Sequence, residues 1–173
     1  MSKGNSSRFN GTRGNPQLVL RLDHTMDGGG YSAGDVSYMD SKDRFAIFIR
    51  HRSDIDAGGA FDVVAHGSPM LIEVMHNGSS VLVNHRVAAR LIRNSKDYYR
   101  QSIRLLSCCT GALDEGFAQN LANKMGVPVI APSSILWAWS SGKYLIADDD
   151  GTGKPDPFKK GSFRTFYPKR RGK

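Results

Sequence analysis

The feature that most constrains the fold is an alternation in the second half of the chain. Short, mostly apolar segments trade places with helical patterns: Ala60-Phe-Asp-Val-Val-Ala65, then Arg86 to about Tyr99, then Ser102-Ile-Arg-Leu-Leu106, then Asp114 to Met125, then Val127-Pro-Val-Ile-Ala131. Segments of β-formers without polar alternation suit strands covered on both faces. Strands joined through helices pair in parallel, because a tight turn cannot reverse the chain onto a parallel neighbour. In the first helical pattern Val87, Leu91, Ile92 and Tyr98 share a face, Arg90, Arg93, Lys96 and Asp97 supply a wet one, and Asn84 stands where a cap belongs. In the second, Phe117, Ala118, Leu121, Ala122 and Met125 share a face and Gly126 follows as a terminator. The expected class is α/β with a mainly parallel central sheet.

Further elements flank this series. Asn77-Gly78, the dipeptide best suited to a type I′ turn, sits between Leu71-Ile-Glu-Val-Met75 and Ser80-Val-Leu-Val83 and predicts a hairpin. Gln17 to Leu22 and Phe45 to Ile49 read as strands, and Ile135 to Trp139 with Lys143 to Ile146 reads as a C-terminal β-hairpin. With 173 residues one core is expected. The expected division is a flexible arm over 1–16, one domain over 17–158 and a basic tail over 159–173.

The net charge of +8 sits at the two ends: residues 159–173 hold seven Lys/Arg and no acid, residues 1–16 hold three, and 17–158 carry 14 basic against 16 acidic residues, 14 − 16 = −2. A core that is not basic argues against nucleic acid as the partner and leaves the tail as a candidate polyanion-binding segment. No apolar run approaches the roughly 18 to 20 residues of a membrane span, and the first residues lack the apolar stretch of a secretory signal, so neither spanning nor signal-directed export is expected. The two cysteines, Cys108 and Cys109, are neighbours with Cα atoms about 3.8 Å apart, too close for an ordinary disulfide and too few for a zinc site. No metal site is expected, and the chain is expected to be a monomer.

Reactive groups in a parallel α/β sheet gather beyond the carboxyl ends of the strands. His66 follows the strand through Ala65, and Cys108 follows the strand through Leu106 by two residues, with one helical crossover between them. A thiol near pKa 8.5 is only a few per cent thiolate at neutral pH, so an adjacent imidazole that takes its proton makes it a nucleophile. The same imidazole can then protonate a leaving amine. Gly67 admits a substrate close to the backbone, and its N–H and that of Cys108 are the candidate oxyanion donors. Taken singly, a strand-end cysteine is more often a small buried hydrophobe. The pairing is more specific than either residue.

Val63-Val-Ala-His66-Gly67 and Leu105-Leu-Ser-Cys108, with Gly116 to Val129 following, resemble the caspase-like (clan CD) cysteine peptidases. Within the clan they look most like the self-processing protease domains of RTX and large clostridial toxins. The resemblance covers roughly Gln17 to Ala147. It implies a three-layer sandwich, with His66 as general base and acid, Cys108 as nucleophile, and Cys109 turned inward or packed. It also implies that the loop from Pro132 borders the substrate pocket, making Ser133, Trp137 and Trp139 candidates, although both tryptophans could equally cover the core. Asp23 is a candidate for orienting His66, as some members use such a carboxylate; Asp62 points to the wrong face if Val63 and Ala65 alternate with it. No cofactor is required, and inositol hexakisphosphate is implied as an activator. The ending from Gly161 to Pro168 with its basic run looks like the C-terminal effector modules of Rhs/Tc-type bacterial toxins, which implies delivery within a larger toxin and cleavage of a target protein in the recipient cytosol.

The same pair would serve a deamidase, transglutaminase or acyltransferase, all of which pass through a thioester. A nucleic-acid module would need basic and aromatic residues interleaved on a folded surface, and only Phe163-Arg-Thr-Phe-Tyr167 approaches that. Asp148-Asp-Asp150 reads as a solvated turn.

Overall fold

A computed structural model describes residues 2–3, 35–55 and 57–170. The expected strand at 17–22, Asp23, His24 and nearly all of the 1–16 arm lie outside the described residues.

Five strands form the central sheet: β2 (Asp35–Ser37), β3 (Phe61–Val64), β7 (Ile103–Leu106), β8 (Val129–Pro132) and β12 (Phe163–Phe166), in the spatial order β12-β8-β7-β3-β2. β2, β3, β7 and β8 are mutually parallel, with β2 at one edge, and β12 closes the other edge antiparallel to β8. The protein is a mixed α/β fold, richer in strand than in helix. Every residue of β3 and of β7 is buried, as continuous apolar patterning requires of a strand covered on both faces.

Two apolar clusters lie on opposite faces of this sheet. Phe61, Val63, Ile103 and Leu105 face α2 (His85–Arg93) and α3 (Phe117–Met125), together with a three-stranded sheet of β4 (His66–Gly67), β5 (Ile72–His76) and β6 (Ser79–Val83). Val64 and Leu106 face the other way, toward α1 (Arg44–Ile49) and strands β9 (Ile135–Ala138) and β10 (Tyr144–Asp149). Those two strands belong to a four-stranded antiparallel sheet ordered β1 (Ser2–Lys3), β9, β10, β11 (Pro155–Lys160).

The β5–β6 hairpin turns through Asn77 and Gly78 with φ of 49° and 77°, the paired positive values of a type I′ turn. Asn84 caps α2, its side chain accepting from Arg86 and Val87 N–H. The helix stops at Arg93, short of Tyr99. Tyr98, whose spacing suited the helical face, instead packs from the following loop with its ring edge-on to Phe61 at 5.3 Å. In α3 the first turn begins at Phe117, because the 112–116 segment is spent on turns that meet the loop after His66.

Three expectations are corrected. Phe45 to Ile49 is a helix, not a strand: the Asp43 side chain caps it, and Phe45 and Ile49, four residues apart, fall on one buried face. The C-terminal hairpin of β9 and β10 is present, but β11 extends its sheet. The basic tail is not simply a tail, since 163–166 is the edge strand of the central sheet and Phe166 is buried in its core.

Candidate functional site

Adjacent parallel strands β3 and β7 place residues side by side: Asp62 opposite Arg104, then Val64 opposite Leu106. His66 and Cys108 each lie two residues beyond that last pair. Alternate residues of a strand share a face, so both side chains leave on the side of Val64 and Leu106. Cys108 indeed joins the second core, and the His66 ring lies 6.4 Å from that of Phe45 on α1, centroid to centroid. The two strand ends that the sequence singled out are thus brought together.

Asp43 completes the arrangement, and it serves twice. One carboxylate oxygen accepts from the N–H groups of Phe45 and Ala46 at 2.8 and 3.3 Å and starts α1. The other meets His66 Nε2 at 2.8 Å, with side chains 27% and 15% exposed. Burial pushes this carboxyl up, but the His66 hydrogen bond, the imidazole charge and the two backbone donors together outweigh it and hold it below the ordinary carboxylate range. An ionised carboxylate only accepts. His66 Nε2 therefore carries a hydrogen, and Nδ1 is the ring nitrogen that Asp43 does not engage. The sequence reading missed Asp43, although an Asp directly before an apolar run is a helix-start signal that could have found it. Asp23, the candidate for this role, lies outside the described residues.

The two thiols differ in burial. Cys108 is 0% exposed; its Sγ accepts the N–H of Leu136 on β9 at 3.3 Å and lies 3.8 Å from the same residue's carbonyl oxygen. Cys109, expected to turn inward or pack, is half-buried and packs against the second core, and it adopts φ of 60°, a left-handed conformation that few non-glycine residues take. Its N–H donates to Ser134 O at 2.9 Å.

Gly67 could not be another residue without movement. A Cβ there would lie 2.1 Å from Ser107 Oγ and 2.8 Å from Cys108 O. The His-Gly strand end is pressed directly on the Ser-Cys turn. Ser107 Oγ itself is buried with no hydrogen-bond partner, at a cost of about 1–3 kcal/mol for such a group.

The remaining candidates fall elsewhere. Trp137 is 1% exposed with its indole N–H donating to Ala147 O at 3.0 Å, which places it inside the fold, whereas Trp139 is half-buried at the β9–β10 turn. Ser133 ties β8 to the approach of β12, its N–H donating to Ser162 O and its Oγ accepting from Ser162 N–H. Asp62, expected to point to the wrong face, lies on the same face as Val64 and His66, but Arg52 and Arg104 engage it four residues short of the imidazole. Asp149 and Asp150 cap their own loop through the N–H groups of Gly151, Thr152 and Gly153. Among the described residues no group of three or more His, Cys, Asp or Glu is placed to hold a metal ion, and no helix is long and apolar enough to cross a membrane.

A separate recess of about 890 Å³ is lined by His85, Arg86, Asn123, Lys124, Lys169 and Arg170. Burial lowers the pKa of His85, and the nearby charges of Arg86 and Lys124 lower it further, a mark of positive potential.

The family model of a domain of unknown function, DUF8616, matches residues 34–146, a span that holds His66, Asp43, both cysteines and all of the parallel strands. The chain belongs to the DUF8616 family. No curated protein and no solved structure matches it. The DUF8616 span closes within β10, so β11 and β12 lie beyond it.

Proposed function

We propose that this protein is a cysteine endopeptidase of caspase-like type, with Cys108 as nucleophile, His66 as general base and acid, and Asp43 as the carboxylate that holds the imidazole. The single observation that carries the reading is the placement of His66 and Cys108 on one face, each two residues past the last registered pair of adjacent parallel strands, with a carboxylate on the imidazole's far nitrogen. In the reaction His66 Nδ1 takes the Cys108 proton as sulfur attacks a peptide carbonyl carbon. The tetrahedral oxyanion is met by the N–H groups of Gly67 and Cys108. The imidazolium returns its proton to the leaving amine, leaving a thioester. Water, deprotonated by the same imidazole, attacks that thioester and releases a carboxylate and the free thiol. Because Cys108 is covered by Leu136, substrate must displace β9 locally to reach the sulfur.

In the wider reading the domain is a delivered bacterial toxin module that cuts a target protein in the recipient cytosol. The recess of Arg86, Lys124, Lys169 and Arg170 is the region whose charge suits inositol hexakisphosphate or another polyanion as activator.

Replacing Cys108 with Ala, and separately His66 with Ala, tests the reading. Each should lower cleavage or toxicity by several orders of magnitude. Equal potency of both variants and the wild type would end it. A target that gains about one dalton or an adduct with its chain intact would reassign the same pair to deamidation or acyl transfer.

A further inference from the structure

The turn after Cys108 is held in place from outside the residues that carry the chemistry. It passes through the left-handed Cys109 and then makes two backbone bonds to the end of β8, Cys109 N–H to Ser134 O and Gly111 N–H to Pro132 O, both 2.9 Å. Gly111 is pressed so closely on Ala131 that a Cβ would lie 2.5 Å from the Ala131 carbonyl oxygen. On β12, directly opposite Ala131 in the register, stands Arg164.

Its guanidinium reaches over the turn. Nη1 donates to Gly111 O at 2.8 Å and to Ala112 O at 3.4 Å, and Nη2 pairs with the Asp114 carboxylate. The Phe166 ring lies beneath it, 4.9 Å from the guanidinium carbon to the ring centroid, and Phe166 is itself buried in the core. A planar fork that is stacked on an aromatic and shared between two carbonyls and a carboxylate fixes direction as well as distance, which a lysine ammonium cannot do.

We infer that Arg164, from a strand outside the family-matched span, is a positioning residue for the Cys108 turn, and that β12 is a working part of the site. The inference rests on the Cys–His reading above. A non-glycine residue in the left-handed region persists only where its surroundings over-determine it. Arg164 supplies part of that determination, since it anchors the chain three and four residues after Cys108 in one orientation. Without it the turn relaxes and the thiol loses its alignment with His66. The sulfur then titrates as an ordinary cysteine instead of as half of a thiolate–imidazolium pair.

The test needs no known substrate. The full chain is treated with iodoacetamide from about pH 5.5 to about pH 9.5, and alkylation of Cys108 is followed by fragment-resolved mass spectrometry, with melting temperature measured in parallel. Wild type should remain reactive well below the ordinary thiol range. His66→Ala should follow a simple thiol near pKa 8.5, and Arg164→Ala should label at least about tenfold more slowly than wild type at about pH 6.5. Arg164→Lys should shift the same way by a smaller amount. Lys159→Ala, which removes an exposed charge of β11 on the same C-terminal segment, should leave the profile within about twofold of wild type. If Arg164→Ala keeps the wild-type profile while His66→Ala shifts, the inference fails and the Cys–His reading stands. If wild type and His66→Ala coincide, or Cys108 in the native protein does not label at all, the reading fails and takes the inference with it. Should Arg164→Ala not fold, Arg164→Lys decides the matter, and a wild-type profile there overturns the inference.

Discussion

Strands β3 and β7 carry two polar clusters on the same face, and they are built on opposite principles. At the Asp62–Arg104 pair, Asp62 accepts from Arg52 Nε and Nη2 at 3.1 and 2.8 Å and from Arg104 Nε and Nη2 at 2.7 and 2.6 Å, all inside the protein. Arg104 also reaches the carboxylate and carbonyl of Asp54, and Tyr144 donates to the same carboxylate. Four residues along, the His66–Cys108 end has a partly buried imidazole, a left-handed cysteine and a buried hydroxyl with no partner. The first cluster has its charges matched and its donors used, which suits a part that must not move. The second keeps strain and unspent hydrogen-bonding capacity, which is where reactive groups are found.

The largest expected effect comes from unbalancing the matched cluster. Asp62→Ala leaves two buried guanidinium groups facing each other and should cost about 3–5 kcal/mol in urea unfolding. A loss below about 1 kcal/mol would mean that water reaches the pair and that the two clusters do not differ as described.

Next in size is Asp43→Asn, which separates the two duties of one side chain. Asn still caps α1, so stability should fall by less than about 0.5 kcal/mol, whereas Asp43→Ala should cost about 1 kcal/mol. On the proposed peptidase reading, turnover should nonetheless fall at least about tenfold, because a neutral amide neither fixes the imidazole tautomer nor balances the imidazolium. The pH dependence follows from the lowered carboxyl. Its folded pKa lies below the unfolded value near 3.9, so its contribution is complete above that value and is lost as pH falls through the folded pKa. Wild type and Asp43→Asn should therefore converge in stability as pH falls through that lowered folded pKa. A gap that stays constant down to acid would assign the difference to packing.

The smallest effect lies outside both clusters. Gly78→Ala puts a side chain at φ of 77° in the β5–β6 turn and should cost about 1 kcal/mol, leaving the reactivity of Cys108 unchanged. A parallel loss of reactivity would show that the hairpin, which pairs with His66-Gly67 through β4, helps to hold the imidazole.

The sequence made the parallel strands legible because β3, β7 and β8 are buried runs with no competing periodicity, and the helix between each pair had its own apolar stripe. The same logic singled out His66 and Cys108, whose strand ends the β3–β7 register sets side by side. It failed at Phe45 to Ile49, where five apolar residues satisfy a strand and a helix equally and only the Asp43 cap decides. It failed at Asp43 as a site residue for a related reason: the contact with His66 spans 23 residues and depends on where α1 docks, which no local pattern encodes. Which thiol is enclosed was also hidden, because it follows from the approach of Leu136 on β9 rather than from either cysteine. The charge of 159–173 concealed a strand, since its inward residues are only Phe163 and Phe166 with Arg164 between them.

That strand also sets an order of events during synthesis. Residues 163–166 leave the ribosome after every other strand of the central sheet. Until they pair with β8 the carbonyls of Gly111 and Ala112 lack their guanidinium, and the edge of the sheet beside the thiol turn is open. A nascent chain can bury the Cys108 thiol and close the parallel strands while the turn still lacks its clamp, so on the proposed reading competence comes only with the finished domain and not with its fragments.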